Sequence, residues 1–163
     1  MKKTLYVLAA LAALMLCGCK EGGKTGPEKF KCIDIDVTFT TCEETRNTAD
    51  LTFSYVADEN GTIKTEPITS DTWTKTISIP AKDVEWSCSV NCQERADKPV
   101  QETYKILALI DYKAFSVSTN GARSHIKTDG DKTANNVPAE NISNYLSKGY
   151  LSKVYPTPLH SSK

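Results

Sequence analysis

The chain has 163 residues, 39% of them hydrophobic and 25% charged, with 20 Lys and Arg against 20 Asp and Glu. That balance, with lysines scattered singly, lacks the basic cluster a nucleic-acid binder presents on one face, so no nucleic acid partner is expected. The length suits one hydrophobic core, and two histidines leave little material for histidine-based catalysis.

Lys2 and Lys3 precede an apolar run over residues 5–16, which ends in Leu16-Cys17-Gly18-Cys19. A run of about a dozen residues falls short of the roughly 20 needed to span a bilayer, and its cationic front and small-residue exit are those of a secretory signal. The Leu-Cys-Gly-Cys stretch resembles the lipobox of bacterial lipoproteins: an aliphatic residue, a loosely constrained one, a small one, then the cysteine that carries lipid. The resemblance implies lipidation at Cys19, with Cys17 leaving in the signal because Leu16, not a small residue, precedes it. It also implies anchoring by acyl chains, each buried methylene contributing about 0.8 kcal/mol. Lys20-Glu21 partly matches the surface-export signal of lipoproteins in one Gram-negative phylum, and no aspartate follows Cys19 as inner-membrane retention would require. The expectation is an outer-membrane, lipid-anchored bacterial protein with its domain either facing the periplasm or displayed at the cell surface.

Residues 1–18 are thus expected to be signal and 19–29 a flexible tether rich in Gly, Lys and Glu. Loss of Lys2 and Lys3 leaves 18 basic against 20 acidic residues, a net charge of −2. The domain is expected over 30–154, followed by an extended tail over 155–163 that holds Pro156 and Pro158.

Within the domain, residues 33–41 alternate, with Ile33, Ile35, Val37 and Phe39 on one face and Asp34, Asp36, Thr38 and Thr40 on the other. That is a half-buried strand. A polar turn over 43–48 leads to a second strand with Leu51, Phe53 and Tyr55 inward, which ends in the tight-turn signal Asn60-Gly61. A third strand places Trp73, Lys75, Ile77 and Ile79 on one face and stops at Pro80. A fourth carries Val84, Trp86, Cys88 and Val90 inward. The nearly continuous apolar run over 106–110 predicts a central strand covered on both faces. Phe115 and Val117 extend it before the turn at Asn120-Gly121, and residues 124–127 add a last strand. One helix is predicted over 138–147, with Pro138 and Glu140 at its start and Gly149 at its end.

Six or seven short strands separated by turn signals predict an all-β fold, an immunoglobulin-like antiparallel β-sandwich with one short C-terminal helix. The stretch from Asp50 through Asp58-Glu59-Asn60-Gly61 to Trp73-Thr74-Lys75-Thr76 resembles small membrane-anchored β-sandwich proteins of bacteria, including accessory proteins of mycobacterial lipid export. That likeness covers about a fifth of the chain and implies the fold without a partner.

Cys32, Cys42, Cys88 and Cys92 remain after the signal, an even number for an oxidising compartment and therefore disulfide candidates. If residues 32–42 form one extended strand, its ends lie about 33 Å apart at 3.3 Å per residue, whereas a disulfide needs Cα atoms within about 7 Å. Cys88 and Cys92 reach at most about 13 Å from each other, so both cross-pairings cannot form together. A turn closing Cys88 to Cys92 is favoured over a long-range bridge from Cys42. Zinc is not expected, because the spacing lacks paired two-residue knuckles, and the three-residue gap between Cys88 and Cys92 is not a thioredoxin-like motif.

Among candidates for chemistry, His125 beside Ser124 is the one histidine available to a triad, and no nucleophile motif accompanies it. Asp34 and Asp36 share a strand face and read as solvated. Residues 58–60, and Asp129 and Asp131 around Gly130, read as acidic turns without the spacing of a calcium loop. Trp73 and Trp86 fall on core faces, which disfavours a carbohydrate platform built on them. No cofactor or metal is expected, and no enzyme. The reading is a non-enzymatic binding or accessory module at the envelope, attached through its N-terminal lipid and recognising protein or glycan. The alternative is a small inhibitor or immunity lipoprotein directed at a lytic enzyme or toxin.

Overall fold

A computed structural model describes residues 29–161. Cys17, Cys19, the signal and all but the last residue of the expected tether lie outside the described residues. The chain runs β1 (Phe30–Thr40), α1 (Glu43–Thr48), β2 (Ala49–Val56), β3 (Ile63–Ile68), β4 (Thr72–Ile79), β5 (Asp83–Glu94), β6 (Thr103–Ser118), β7 (Arg123–Pro138), a 3-10 turn (Ala139–Asn141), α2 (Ile142–Leu146) and β8 (Tyr150–His160). The eight strands form two antiparallel four-stranded sheets: sheet A in the order β4-β1-β6-β7 and sheet B in the order β3-β2-β5-β8. The molecule is an all-β sandwich. In an immunoglobulin constant domain the first strand lies at a sheet edge; here β1 lies inside sheet A, between β4 and β6.

Alternation dictates the layers. Ile33, Ile35, Val37 and Phe39 of β1 face Phe53, Tyr55, Trp86 and Val90 of sheet B in one buried cluster. Phe53 sits 4.6 Å from the Trp73 ring and Trp86 sits 4.7 Å from Tyr112, centroid to centroid. The Trp86 indole N–H donates to the Val56 carbonyl at 3.2 Å, which satisfies its one polar group inside the core. The hairpins expected at Asn60-Gly61 and Asn120-Gly121 are present, with Gly61 at φ 76° and Gly121 at φ 87°, backbone that a side chain would strain.

Sheet A is joined to sheet B at both seams. On one side Lys75 of β4 pairs with Glu66 of β3. On the other, Thr133 of β7 donates to the Leu151 carbonyl, and Asp131 accepts from the Ser152 hydroxyl at 3.0 Å and the Lys153 N–H at 2.7 Å.

Several sequence expectations change. The central β6 is buried on one face only: Ile106, Ala108 and Ile110 point inward, while Leu107 and Leu109 are half-buried on the other face. Where β1 runs out, polar side chains from α1 and the residues before it finish the ladder on β6. Thr45 Oγ1 donates to the Lys105 carbonyl at 3.1 Å and accepts from the Leu107 N–H at 2.9 Å, Thr41 donates to the Leu107 carbonyl at 2.7 Å, and Glu44 accepts from the Lys105 N–H at 2.8 Å. The expected turn over 43–48 is this helix.

The expected turn at Asp129-Gly130-Asp131 is mid-strand in β7, which runs sixteen residues along β6. Gly130 is required there by proximity: a Cβ would stand 2.1 Å from the Ile110 carbonyl oxygen. Residues 155–160, expected to be a loose tail, belong to β8 and pair with β5 down to Asp83↔His160. Leu159 is wholly buried, and apolar burial outweighs the prolines, which the free edge of β8 tolerates.

The disulfide expectation is also corrected. Cys32, Cys42, Cys88 and Cys92 are free thiols. Cys88 and Cys92 lie on one strand whose pairing with β2 runs unbroken from Ala49↔Glu94 to Tyr55↔Cys88. No turn separates them, so about 13 Å of extended chain does. Cys32 sits in sheet A, opposite Val117, and Cys42 precedes α1.

Candidate functional site

Cross-strand register builds rows of side chains across the outer face of sheet B. Residues directly opposite one another in antiparallel strands share a face, so Thr65↔Ser54, Ser54↔Ser89 and Ser89↔Lys153 form one row from β3 to β8. The adjacent row is Pro67, Thr52, Asn91 and Tyr150. Four strands at about 4.8 Å spacing make each row roughly 14 Å wide. Hydroxyls and one amide connect the rows: Ser54 and Thr65 share a hydrogen bond at 2.9 Å, and Asn91 Nδ2 donates to Ser54 Oγ at 2.8 Å.

At the β8 end stand two tyrosines. Tyr150 is 43% exposed and Tyr155 64%. The Lys153 ammonium lies over both rings, 5.6 Å and 4.9 Å from their centroids. The Tyr155 phenol is pushed above its ordinary value, first by its hydrogen bond with Tyr150. Lys153 is the one charged residue in the two rows, and it has no ion-pair partner within 4 Å among the described residues. Asp131, which reaches the Lys153 backbone, is committed to that N–H and to Ser152.

The candidates singled out from the sequence fall elsewhere, and each has a local explanation. On the outer face of sheet A, the Arg123 guanidinium contacts Asp36 at 2.8 Å and Asp34 at 3.8 Å and stacks 4.0 Å over the Phe115 ring. Thr76 donates to Asp36 at 2.8 Å, Ser78 donates to Asp34 at 2.6 Å, and the Cys32 thiol reaches Asp34 at 3.3 Å. The two carboxylates are saturated by the fold's own groups. The dip beside them, lined by Asp36, Thr38, Thr74, Lys75 and Thr76, is shallow and open.

His125 shares a hydrogen bond with Thr128 at 2.8 Å and sets its ring edge against Phe115, with centroids 5.8 Å apart. Asp58 accepts from the N–H groups of Asn60 and Thr62 at 2.9 and 3.1 Å, which organises the β2–β3 turn; the Thr62 side chain first, and then these N–H groups, hold its carboxyl below the usual range. Trp86 is fully buried and Trp73 packs against the core. Among the described residues no group of three or more His, Cys, Asp or Glu is gathered as a metal site would require.

Tyr150, Lys153 and Tyr155 escape a reading of the sequence because Pro156 and Pro158 give this stretch the look of a tail. The available signal is an aromatic pair around a lysine, but its alternation is broken: register shifts at Trp86/Cys88 and Val90/Asn91 let β8 slip against β5. No protein-family model matches the chain, and neither a curated protein nor a solved structure matches it.

Proposed function

We propose that the protein is a non-enzymatic recognition module, held on the outer membrane by lipid on Cys19, that binds glycan across the outer face of sheet B. The observation that carries this reading is the pair of hydroxyl- and amide-bearing rows that end in two exposed tyrosines. A pyranose offers an apolar face that stacks on an aromatic ring and a rim of hydroxyls that exchange hydrogen bonds with Ser, Thr and Asn. The rows offer both within a few ångströms.

A stable protein interface buries about 1,200–2,000 Å² around an apolar centre. Among the described residues the exposed large apolar side chains are Ile63, Val100, Tyr150 and Tyr155. Ile63 opens β3 and Val100 lies between β5 and β6, so only the tyrosines adjoin, and a sugar suits two rings better than a protein does. The lipid anchor rests on the Gly18-Cys19 motif, and the outer-membrane address on Lys20-Glu21 and the lack of an aspartate after Cys19. Among the described residues no helix is long and apolar enough to cross a membrane.

The test combines a saccharide array, probed with the full chain in detergent, and the variant Tyr150→Ala/Tyr155→Ala. Binding to one glycan class that falls about tenfold or more in the double variant supports the reading. Binding to none, or binding indifferent to both tyrosines, overturns it. Mass spectrometry of the mature N-terminus should find acyl chains on Cys19, and Cys19→Ser should release the protein from the membrane.

A further inference from the structure

We infer that the saccharide is anionic, with its carboxylate or sulfate placed over Lys153; this rests on the glycan reading above. Lys153 is set apart by its place: its ammonium lies over two exposed tyrosine rings at the end of the polar rows of sheet B. Lys75, Lys98 and Lys127 each pair with a carboxylate, Glu66, Glu94 and Asp129 respectively. The Lys153 ammonium has no carboxylate oxygen within 4 Å among the described residues, as is also true of Lys148 over the single Tyr145 ring, and it is held between two aromatic faces. A ring quadrupole attracts an ammonium without neutralising it, so a full positive charge stands at the surface between two stacking rings.

One acid lies close, Asp131, whose carboxylate is engaged by the Lys153 N–H at 2.7 Å and the Ser152 hydroxyl at 3.0 Å. Ser89 lies directly opposite Lys153, and the two rows described above contain no acid. The next row holds Asp50, whose carboxylate already meets Arg95 at 3.2 Å. A neutral sugar would leave the ammonium with nothing to do that water does not do as well. An anionic ring stacked on Tyr150 or Tyr155 brings its charged substituent to the Lys153 ammonium while its hydroxyls meet Ser89 and Asn91. The side chain is already confined by the two rings, so less rotamer freedom is lost on binding than for a free surface lysine. A lysine is a point charge that does not select planar geometry, so the chemistry named is the anion, and experiment separates carboxylate from sulfate ester.

The full chain in detergent is titrated with polygalacturonate, dextran sulfate and neutral dextran, together with Lys153→Gln, Lys153→Arg and Tyr150→Ala. The expected result is binding to at least one anionic polymer, a loss of about tenfold or more with Lys153→Gln, substantial recovery with Lys153→Arg, and weakening as salt rises past about 0.1 M. Polygalacturonate alone assigns a carboxylated sugar, dextran sulfate alone a sulfated one, and both support anion recognition. Polyanion binding that survives Tyr150→Ala is bulk electrostatics and overturns the inference. Dextran binding that needs Tyr150 but ignores Lys153 overturns the anionic assignment and leaves the glycan reading standing. Absence of binding here and on the saccharide array removes both. Thermal melting of Lys153→Gln matching the parent shows that its loss is not misfolding.

Discussion

Lys75 of β4 and Glu66 of β3 form an ion pair across the seam between the two sheets, and the Tyr55 hydroxyl donates to the same carboxylate at 2.7 Å. The strand pattern points Lys75 toward the core side, where an unpaired ammonium would be costly. The pair resolves that cost at the sandwich edge, and the ammonium lies 5.2 Å over the Tyr55 ring.

The pair is about one-third exposed, with side-chain exposures of 36% and 33%, so its coupling is modest. A double-mutant cycle of Lys75→Met and Glu66→Gln, followed by urea denaturation, should give a coupling of about 0.5–1 kcal/mol that shrinks in high salt. The Glu66 carboxyl is held below the usual range, first by its hydrogen bond with Lys75 and then by Tyr55. A depressed folded value means that this contribution is present above the ordinary carboxylate value and is lost as pH falls. Glu66→Gln should therefore flatten the acid limb of the stability profile.

Leu159 should prove to be a core residue. It is fully buried, three positions beyond Pro156, and Leu159→Ala should cost about 2–4 kcal/mol in denaturant titrations. Pro156→Ala, at an exposed position, should change stability by less than about 1 kcal/mol. Equal, small effects at both positions would return this segment to the status of a tail.

The Tyr112 hydroxyl is buried with no hydrogen bond of good geometry among the described residues, and burial pushes its phenol above the ordinary value, offset in part by the Thr157 side chain nearby. Removing an unsatisfied polar group relieves its desolvation cost, so Tyr112→Phe should be neutral or stabilising by up to about 1 kcal/mol. The same change at Tyr55, whose hydroxyl is bonded to Glu66, should destabilise. Chemical denaturation of the two variants side by side distinguishes them.

Burial pushes the Cys88 thiol up to about 12 and the Cys92 thiol up to about 11. A raised folded value means that the unfolded chain loses these protons first. Stability is therefore intact below the ordinary thiol value of 9.0 and falls as pH rises toward 11 and 12. Cys88→Ala should shallow that alkaline decline. In native alkylation at pH 8, Cys88 should react far more slowly than Cys42, and denaturant should abolish the difference.

The legible and illegible parts of the chain divide along a physical line. Strands with one buried face announce themselves: β1, β2, β4 and β5 alternate as Ile33 to Phe39 do. Elements held by backbone pairing rather than by side-chain burial do not. β7 buries little beyond Val137 and exists because β6 offers a ladder along its length. β3 has Pro67 and a single buried residue, Ile68, and α1 is six residues whose buried side chains are Thr45 and Thr48. The expected thiol pairing is absent for a related reason: the extended spacing that keeps Cys32 from Cys42 along one strand also keeps Cys88 from Cys92, because continuous pairing with β2 holds that segment straight. The candidate site depends on cross-strand register, which brings Ser54, Ser89 and Lys153 into one row from three distant stretches, and no local pattern records register.

The interior position of β1 has a mechanical consequence. Tension entering the domain through Lys29 runs along a strand gripped on both sides, by β4 from Thr40 back to Ile33 and by β6 from Leu109 to Ser118. Both flanking ladders are loaded in shear, so many hydrogen bonds must yield together, whereas a terminal strand at a hairpin mouth would unzip bond by bond. Pulled from that end, the sandwich should resist extraction through a strand that has neighbours on both sides along nearly its whole length.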